Sequence, residues 1–289
     1  MHVFKAAVVG AGTMGGEIAQ VIASAGVPVV LKDIEQKFVD AALEKAEAVT
    51  KGQLDRLVKK EKITQDQADA QAEEIVGRIT GATSYDGFGD VDFVIEAVPE
   101  RMPIKQAVFA ELDAVTPGHA ILASNTSSLS ITEMGEATSR PDRVVGFHFF
   151  YPASMMRLIE VIEGEDTSEE TLAAATIFVQ QIRKTAIRCC EAPGFVVNRL
   201  LNAATSEVWR VVDEEGISYE DADAAIKDSG VAPVGPYHLV DLLGLDTVLH
   251  VAEHLHDSYG ERFYVSPAMQ RLVADGHLGV KTGKGFYEH

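Results

Sequence analysis

The chain has 289 residues, is 46% hydrophobic, and carries 44 acidic against 25 basic side chains, a formal net charge of −19. That is enough apolar material for one or two domains with substantial cores. With no long basic run, the charge sets the chain against nucleic acid and anionic membrane surfaces as partners. No apolar run approaches the ~18 residues of a bilayer-spanning helix, and the N-terminus enters a strand-like segment with no charged leader or cleavage site. The two cysteines, Cys189 and Cys190, are adjacent and supply no disulfide framework, as expected of a cytoplasmic protein.

Residues 5–9 read as a short buried strand. Gly10, Gly12 and Gly15 follow as G-x-G-x-x-G, and residues 13–24 place Met14, Ile18, Val21 and Ile22 on one helical face. Gly26 stops that helix, and residues 27–31 form a second strand ending near Asp33. The first glycine allows a tight turn, the second a close approach to a pyrophosphate, and the third close helix–strand packing. The helix start offers free N–H groups to phosphate. Gly10, Gly12, Thr13, Met14 and Gly15 are therefore the candidate dinucleotide cradle. Asp33, 23 residues after Gly10, stands where a carboxylate accepts hydrogen bonds from an adenosine ribose, which favours NAD over NADP.

Residues 36–76 are rich in Ala, Glu, Lys and Gln and read as an inserted helix pair, with Thr64 as N-cap of the second helix. Arg56, Lys59, Lys60 and Lys62 form the densest basic cluster of an acidic chain. This is either a solvated helix end or a clamp for an anionic substrate handle. Residues 91–100, 120–128, 144–147 and 158–162 read as further strands. Glu100, Asn125, Ser127 and His148 fall at strand ends, where open α/β sheets bind ligands.

Oxidation of a secondary alcohol by NAD requires a base for the hydroxyl proton, and histidine suits that role. Glu160 lies in an apolar run, Leu158 to Ile162, where a lone buried acid needs a partner. If its strand pairs with the one bearing His148, the carboxylate can fix the imidazole tautomer. From Pro193-Gly194 onward the chain becomes helical. The expected architecture is α/β: a Rossmann-type doubly wound sheet with an inserted helix pair over residues 1–190, then a smaller all-α domain over residues 191–289. The segment 235–246 reads as a turn followed by a packed helix. His250, His254, His256 and Asp257 recur at helical spacing without a zinc-hydrolase motif, so no metal is expected.

In order along the chain stand GAGTMG, SNTSSLSI, GFHFF, LIEVIEG, PGFVVNRLL, GPYHLVDLLGLD and KTGKGFY. Together they resemble the 3-hydroxyacyl-CoA dehydrogenase family nearly end to end. The resemblance implies NAD-dependent, reversible oxidation of an L-3-hydroxyacyl-CoA to the 3-oxoacyl-CoA, as in fatty-acid metabolism. It implies His148 as base with Glu160 as its partner, and Ser127 and Asn198 as contacts to the substrate oxygen. It places Glu100, Lys105, Ser127 and Lys281 on the NAD side and matches Lys60 to a CoA-binding lysine. It also implies a homodimer formed through the C-terminal domain. One departure stands out: where the family has Asn in HFFNP, this chain has Tyr151. That change keeps open a dehydrogenase of a free hydroxy acid or sugar acid. A dinucleotide-binding protein without turnover is the reading of a different class.

Overall fold

The computed structural model describes residues 2–289. The chain divides into two units, the first ending at Glu191 and the second beginning at Ala192.

The first unit runs β1 (Ala6–Val9), α1 (Thr13–Ser24), β2 (Val29–Lys32), α2 (Gln36–Lys59), α3 (Gln65–Val76), β3 (Ile79–Ala82), β4 (Phe93–Glu96), α4 (Met102–Val115), β5 (Ile121–Ser124), α5 (Ile131–Gly135), β6 (Val144–Phe149), β7 (Leu158–Glu163), α6 (Glu169–Gln181) and β8 (Thr185–Cys190). The strands form one sheet in the order β3-β2-β1-β4-β5-β6-β7-β8. The first six in that order are parallel, β7 is antiparallel to β6, and β8 is parallel to β7. This is the doubly wound α/β arrangement that the sequence implies. Chain order reverses between β1 and β4, which makes the carboxyl ends of those strands the ligand-binding crevice of such a sheet.

The central strands are apolar throughout because helices cover both faces; β1, β4 and β5 are buried at every position. Phe93 of β4, Phe147 of β6 and Phe178 of α6 interlock with ring centroids 4.7–5.9 Å apart, near the range of favourable aromatic pairs. The inserted helices have a small core of their own, with Leu54 packed near Ala68 and Ala72. Thr64 caps α3 through a reciprocal box with Gln67, as the sequence predicts.

Two strands differ from the sequence reading. β3 was not anticipated: it has the sequence Ile-Thr-Gly-Ala and only its first residue is buried. β8 is an edge strand exposed in part on both faces. Neither has the apolar alternation by which a strand is recognised. The runs 91–100 and 120–128 also contain much shorter strands than their apolar length suggests, since each turns into the site after four residues.

The second unit consists of α7 (Val197–Glu215), α8 (Tyr219–Asp228), α9 (Pro236–Leu243), α10 (Leu245–Tyr259) and α11 (Pro267–Ala274). Trp209, Tyr237, Leu249 and Met269 are buried at its centre. Asp241, in the segment read as a packed helix, is 1% exposed. It accepts the N–H groups of Phe286 and Tyr287 at 2.9 Å each and contacts His289 Nε2 at 2.8 Å. The acid therefore clamps the C-terminal segment onto α9. Asp241→Ala leaves two backbone donors unsatisfied and is expected to destabilise the second unit by about 3 kcal/mol. Thermal unfolding followed by circular dichroism checks this; an unchanged midpoint would remove the clamp from the account. On α10, His256 donates Nδ1–H to the Phe263 carbonyl at 2.8 Å. Among the described residues, no group of three or more His, Cys, Asp or Glu side chains is arranged to hold a metal ion.

Candidate active site

The glycine loop joins β1 to α1. Gly10 has φ +100°, and a Cβ there would lie 2.6 Å from the Ala97 carbonyl oxygen. A Cβ on Gly15 would lie 1.7 Å from the Gly10 carbonyl oxygen. Both positions exclude any side chain, the first by conformation as well. Gly12 is different: a Cβ there would meet nothing within 4 Å, so the backbone faces open space. Gly12 is also the N-cap of α1 and supplies no side-chain cap. The first N–H groups of that 12-residue helix, which begins with Thr13 and Met14, are thus presented to an anion. These residues fit a dinucleotide pyrophosphate.

Asp33 follows β2. Its carboxylate accepts the Ala11 N–H at 2.6 Å and the Ile34 N–H at 2.7 Å. The first bond ties the acid directly to the glycine loop, which places it within reach of the adenosine end of a dinucleotide. A 2′-phosphate there would meet this negative charge. Asp33→Ala is expected to narrow the ratio of kcat/KM values for NAD over NADP by about tenfold, roughly the effect of one close like-charge contact. An unchanged ratio would mean that Asp33 does not read the ribose.

β4 and β5 end in a buried polar network. Glu96 closes β4 and is fully buried. It accepts the Lys105 ammonium at 2.8 and 3.0 Å, the Ser124 hydroxyl at 2.6 Å and the Val98 N–H at 2.7 Å. Lys105 also reaches Glu100 at 3.2 Å. Glu100 in turn accepts the Thr126 hydroxyl at 2.6 Å and the Ser127 N–H at 2.9 Å. Burial pushes the Glu100 carboxyl pKa up, but Lys105, Thr126 and Ser127 together outweigh that and hold it below the ordinary glutamate value.

The structure thus joins Glu100, Lys105 and Ser127, and adds Glu96. The sequence reading set Lys105 on the NAD side, but its ammonium is 1% exposed and spent on two carboxylates. Glu96 was missed, although it carries the same signal as Glu160: a lone acid in an apolar strand.

β6 and β7 carry the second pair. Their antiparallel register sets His148 directly opposite Glu160. The Nδ1 of His148 lies 2.8 Å from Glu160 Oε2. Glu160 is fully buried and His148 is 7% exposed, so the ion-pair geometry is shielded from water. Residues directly opposite on an antiparallel pair share a face; a slip of one residue would turn the acid away. Asn125, after β5, accepts the Phe149 N–H at 2.9 Å and so fastens the end of β6 to the neighbouring strand.

Lys60 is the C-cap of α2. It is exposed with Arg56, Lys59 and Lys62. Asn198 is in the first turn of α7 and Lys281 in a short 3-10 helix, Val280–Thr282, both in the second unit. The Lys281 ammonium is paired with Asp246.

Residues 5–192 match the model of the 3-hydroxyacyl-CoA dehydrogenase NAD binding domain, and residues 194–289 that of the 3-hydroxyacyl-CoA dehydrogenase C-terminal domain. A probable 3-hydroxybutyryl-CoA dehydrogenase of Deinococcus radiodurans is 40% identical over 286 residues, covering 99% of this chain and 100% of the relative. The 3-hydroxybutyryl-CoA dehydrogenase of Clostridioides difficile is also 40% identical, over 99% of both chains. The crystal structure of (S)-3-hydroxybutyryl-CoA dehydrogenase from Ralstonia eutropha superposes with a TM-score of 0.91 at 39% identity, covering 100% of this chain and 99% of that one.

Proposed function

The chain belongs to the 3-hydroxyacyl-CoA dehydrogenase family and is an NAD-dependent oxidoreductase of that activity; from this premise we propose that His148 is the general base and Glu160 its partner. The single observation that carries the reading is the His148 Nδ1–Glu160 Oε2 contact of 2.8 Å at a buried carboxylate. With Nδ1 directed to Glu160, Nε2 is the nitrogen assigned to the substrate hydroxyl proton. Glu160 fixes the tautomer and stabilises the imidazolium as the proton arrives. Bound NAD supplies the acceptor for the C3 hydride. In the reverse direction His148 returns the proton to the developing alkoxide.

Ser127 and Asn198 are assigned to the substrate oxygen. Glu100 holds the Ser127 amide and hydroxyl in place at 2.9 and 3.3 Å, and Lys105 holds Glu100. Lys60 and the cationic cluster around it suit the phosphates of CoA, since four exposed cations on an acidic chain form an anion site. Lys281 is assigned to the NAD side. The substrate is read as the L isomer, and the assembly as a homodimer formed through the second unit. Leu200, Leu201, Leu242 and Leu243 are each about half exposed or more on α7 and α9, as an apolar interface requires. No helix among the described residues is long and apolar enough to cross a membrane, in keeping with the proposed cytoplasmic location.

The test is NADH oxidation on addition of acetoacetyl-CoA, compared with free acetoacetate. Oxidation by the thioester and not by the acid supports the reading. Equal rates with both would transfer it to a dehydrogenase of free acids. NADH binding without turnover on any 3-oxoacyl-CoA would favour a non-catalytic role.

A further inference from the structure

Three side chains beside the base form a cluster that none of the roles above uses. Tyr151 lies three residues beyond His148, in the turn after β6. It is 55% exposed, and its hydroxyl makes no hydrogen bond to any described residue. The Lys45 ammonium of α2 sits 5.5 Å from the centroid of the tyrosine ring, within the range of a cation–π contact. Lys45 is held there by Glu17 of α1 at 2.9 Å, and the Glu17 side chain is 4% exposed. The second Glu17 oxygen accepts the Ser154 N–H at 3.4 Å. A carboxylate buried this far holds its cation firmly, because it would otherwise be left charged and unpaired. The cluster therefore ties the dinucleotide helix, the inserted helix pair and the turn beyond the base at one point.

The placement has a direction. On α2, Lys45, Arg56 and Lys59 fall within about 60° around the helix axis, and the last two lie about 16 and 21 Å further along it. Between them Gly52 falls within the stripe and Ala48 and Val49 about 20° to either side of it, with Ala48 and Gly52 exposed and open space over Gly52. The stripe is low between Lys45 and Arg56, with the exposed Asp55 along its edge and cations at both ends. The chain from His148 to Tyr151 spans at most about 10 Å. An acyl-CoA with C3 at the base has its thioester next, then the first pantetheine amide, and its phosphates at the far end of the arm.

We propose that Tyr151 is a specificity-determining residue for the acyl-CoA side of the site. Its phenol, backed by Lys45, donates a hydrogen bond to the pantetheine amide carbonyl nearest the thioester. The arm then follows the α2 stripe to Arg56 and Lys59. This deepens the acyl-CoA reading above and rests on it. Tyrosine in place of the family asparagine suits the role, since the phenol reaches further from the backbone and its ring gives the ammonium a face to rest on.

The test uses three substrates that share the reacting carbons: acetoacetyl-CoA, the N-acetylcysteamine thioester of acetoacetate, which keeps the first amide, and the S-ethyl thioester, which lacks it. Tyr151→Phe keeps the ring and removes the donor. It is expected to lower kcat/KM about 5- to 10-fold on the two amide-bearing substrates, the worth of one hydrogen bond, while kcat/KM for the S-ethyl thioester and the KM for NADH stay as in wild type. Lys45→Arg, which leaves Glu17 paired, should reproduce part of that loss with the same substrate pattern. An equal loss on all three substrates, or a loss that appears in the KM for NADH, overturns the proposal. So does no loss at all. Wild-type inactivity toward acetoacetyl-CoA would instead sink the functional reading itself, so the two failures are distinct.

Discussion

His148→Ala is expected to lower kcat for acetoacetyl-CoA reduction by at least about 10²-fold, the lower range for removal of a positioned general acid or base. The dinucleotide site is built on β1, α1 and β2, and β6 is separated from β1 in the sheet by β4 and β5. NADH binding, measured by fluorescence titration, should therefore survive. Phe147 and Phe149, its neighbours on the strand, point to the opposite face and pack in the main apolar cluster, which the substitution leaves untouched. The melting temperature should fall, because the buried Glu160 loses its imidazole partner, and loss of turnover in protein that still folds and binds NADH identifies chemistry as the step affected. A variant as fast as wild type would end the assignment of His148 as the base.

Glu160→Gln is expected to be nearly as damaging, with kcat reduced by about 10²- to 10⁴-fold. The amide is isosteric but carries no charge, so it neither offsets the imidazolium formed in the transition state nor insists on one tautomer. Because Glu160 is fully buried, its charge acts on the histidine with little screening by water. The two effects should not add. Once His148 is alanine, the Glu160→Gln change has no imidazole to act on, and the double variant should be no slower than His148→Ala alone. Additive losses in that cycle would show that Glu160 acts on something other than His148. Full activity in the single variant would leave the acid as a structural partner only.

The local parts of this protein could be read directly from its residues. The turn at Gly10, the open backbone at Gly12 and the close helix packing at Gly15 follow from glycine's missing Cβ, and the spacing to Asp33 follows from the length of one strand–helix–strand unit. The extent of α1 follows from its apolar period, and the start of α3 follows from a threonine with a glutamine three residues on. Each of these signals is set by sterics and hydrogen bonds within a few residues, so the sequence by itself determined them.

The polar core was decided elsewhere. Glu160 could be suspected from its apolar run, but only the antiparallel register of β6 on β7 puts it opposite His148. Lys105, which the resemblance places on the NAD side, is buried because Glu96 and Glu100 converge on it from the end of β4 and the turn beyond. Glu17, Lys45 and Tyr151 are 28 and 106 residues apart in sequence, and nothing local links them. Pairing of buried charges is a matter of which strand ends and helices are brought together. Desolvation makes such pairs obligatory once formed, but it is the tertiary packing that chooses the partners.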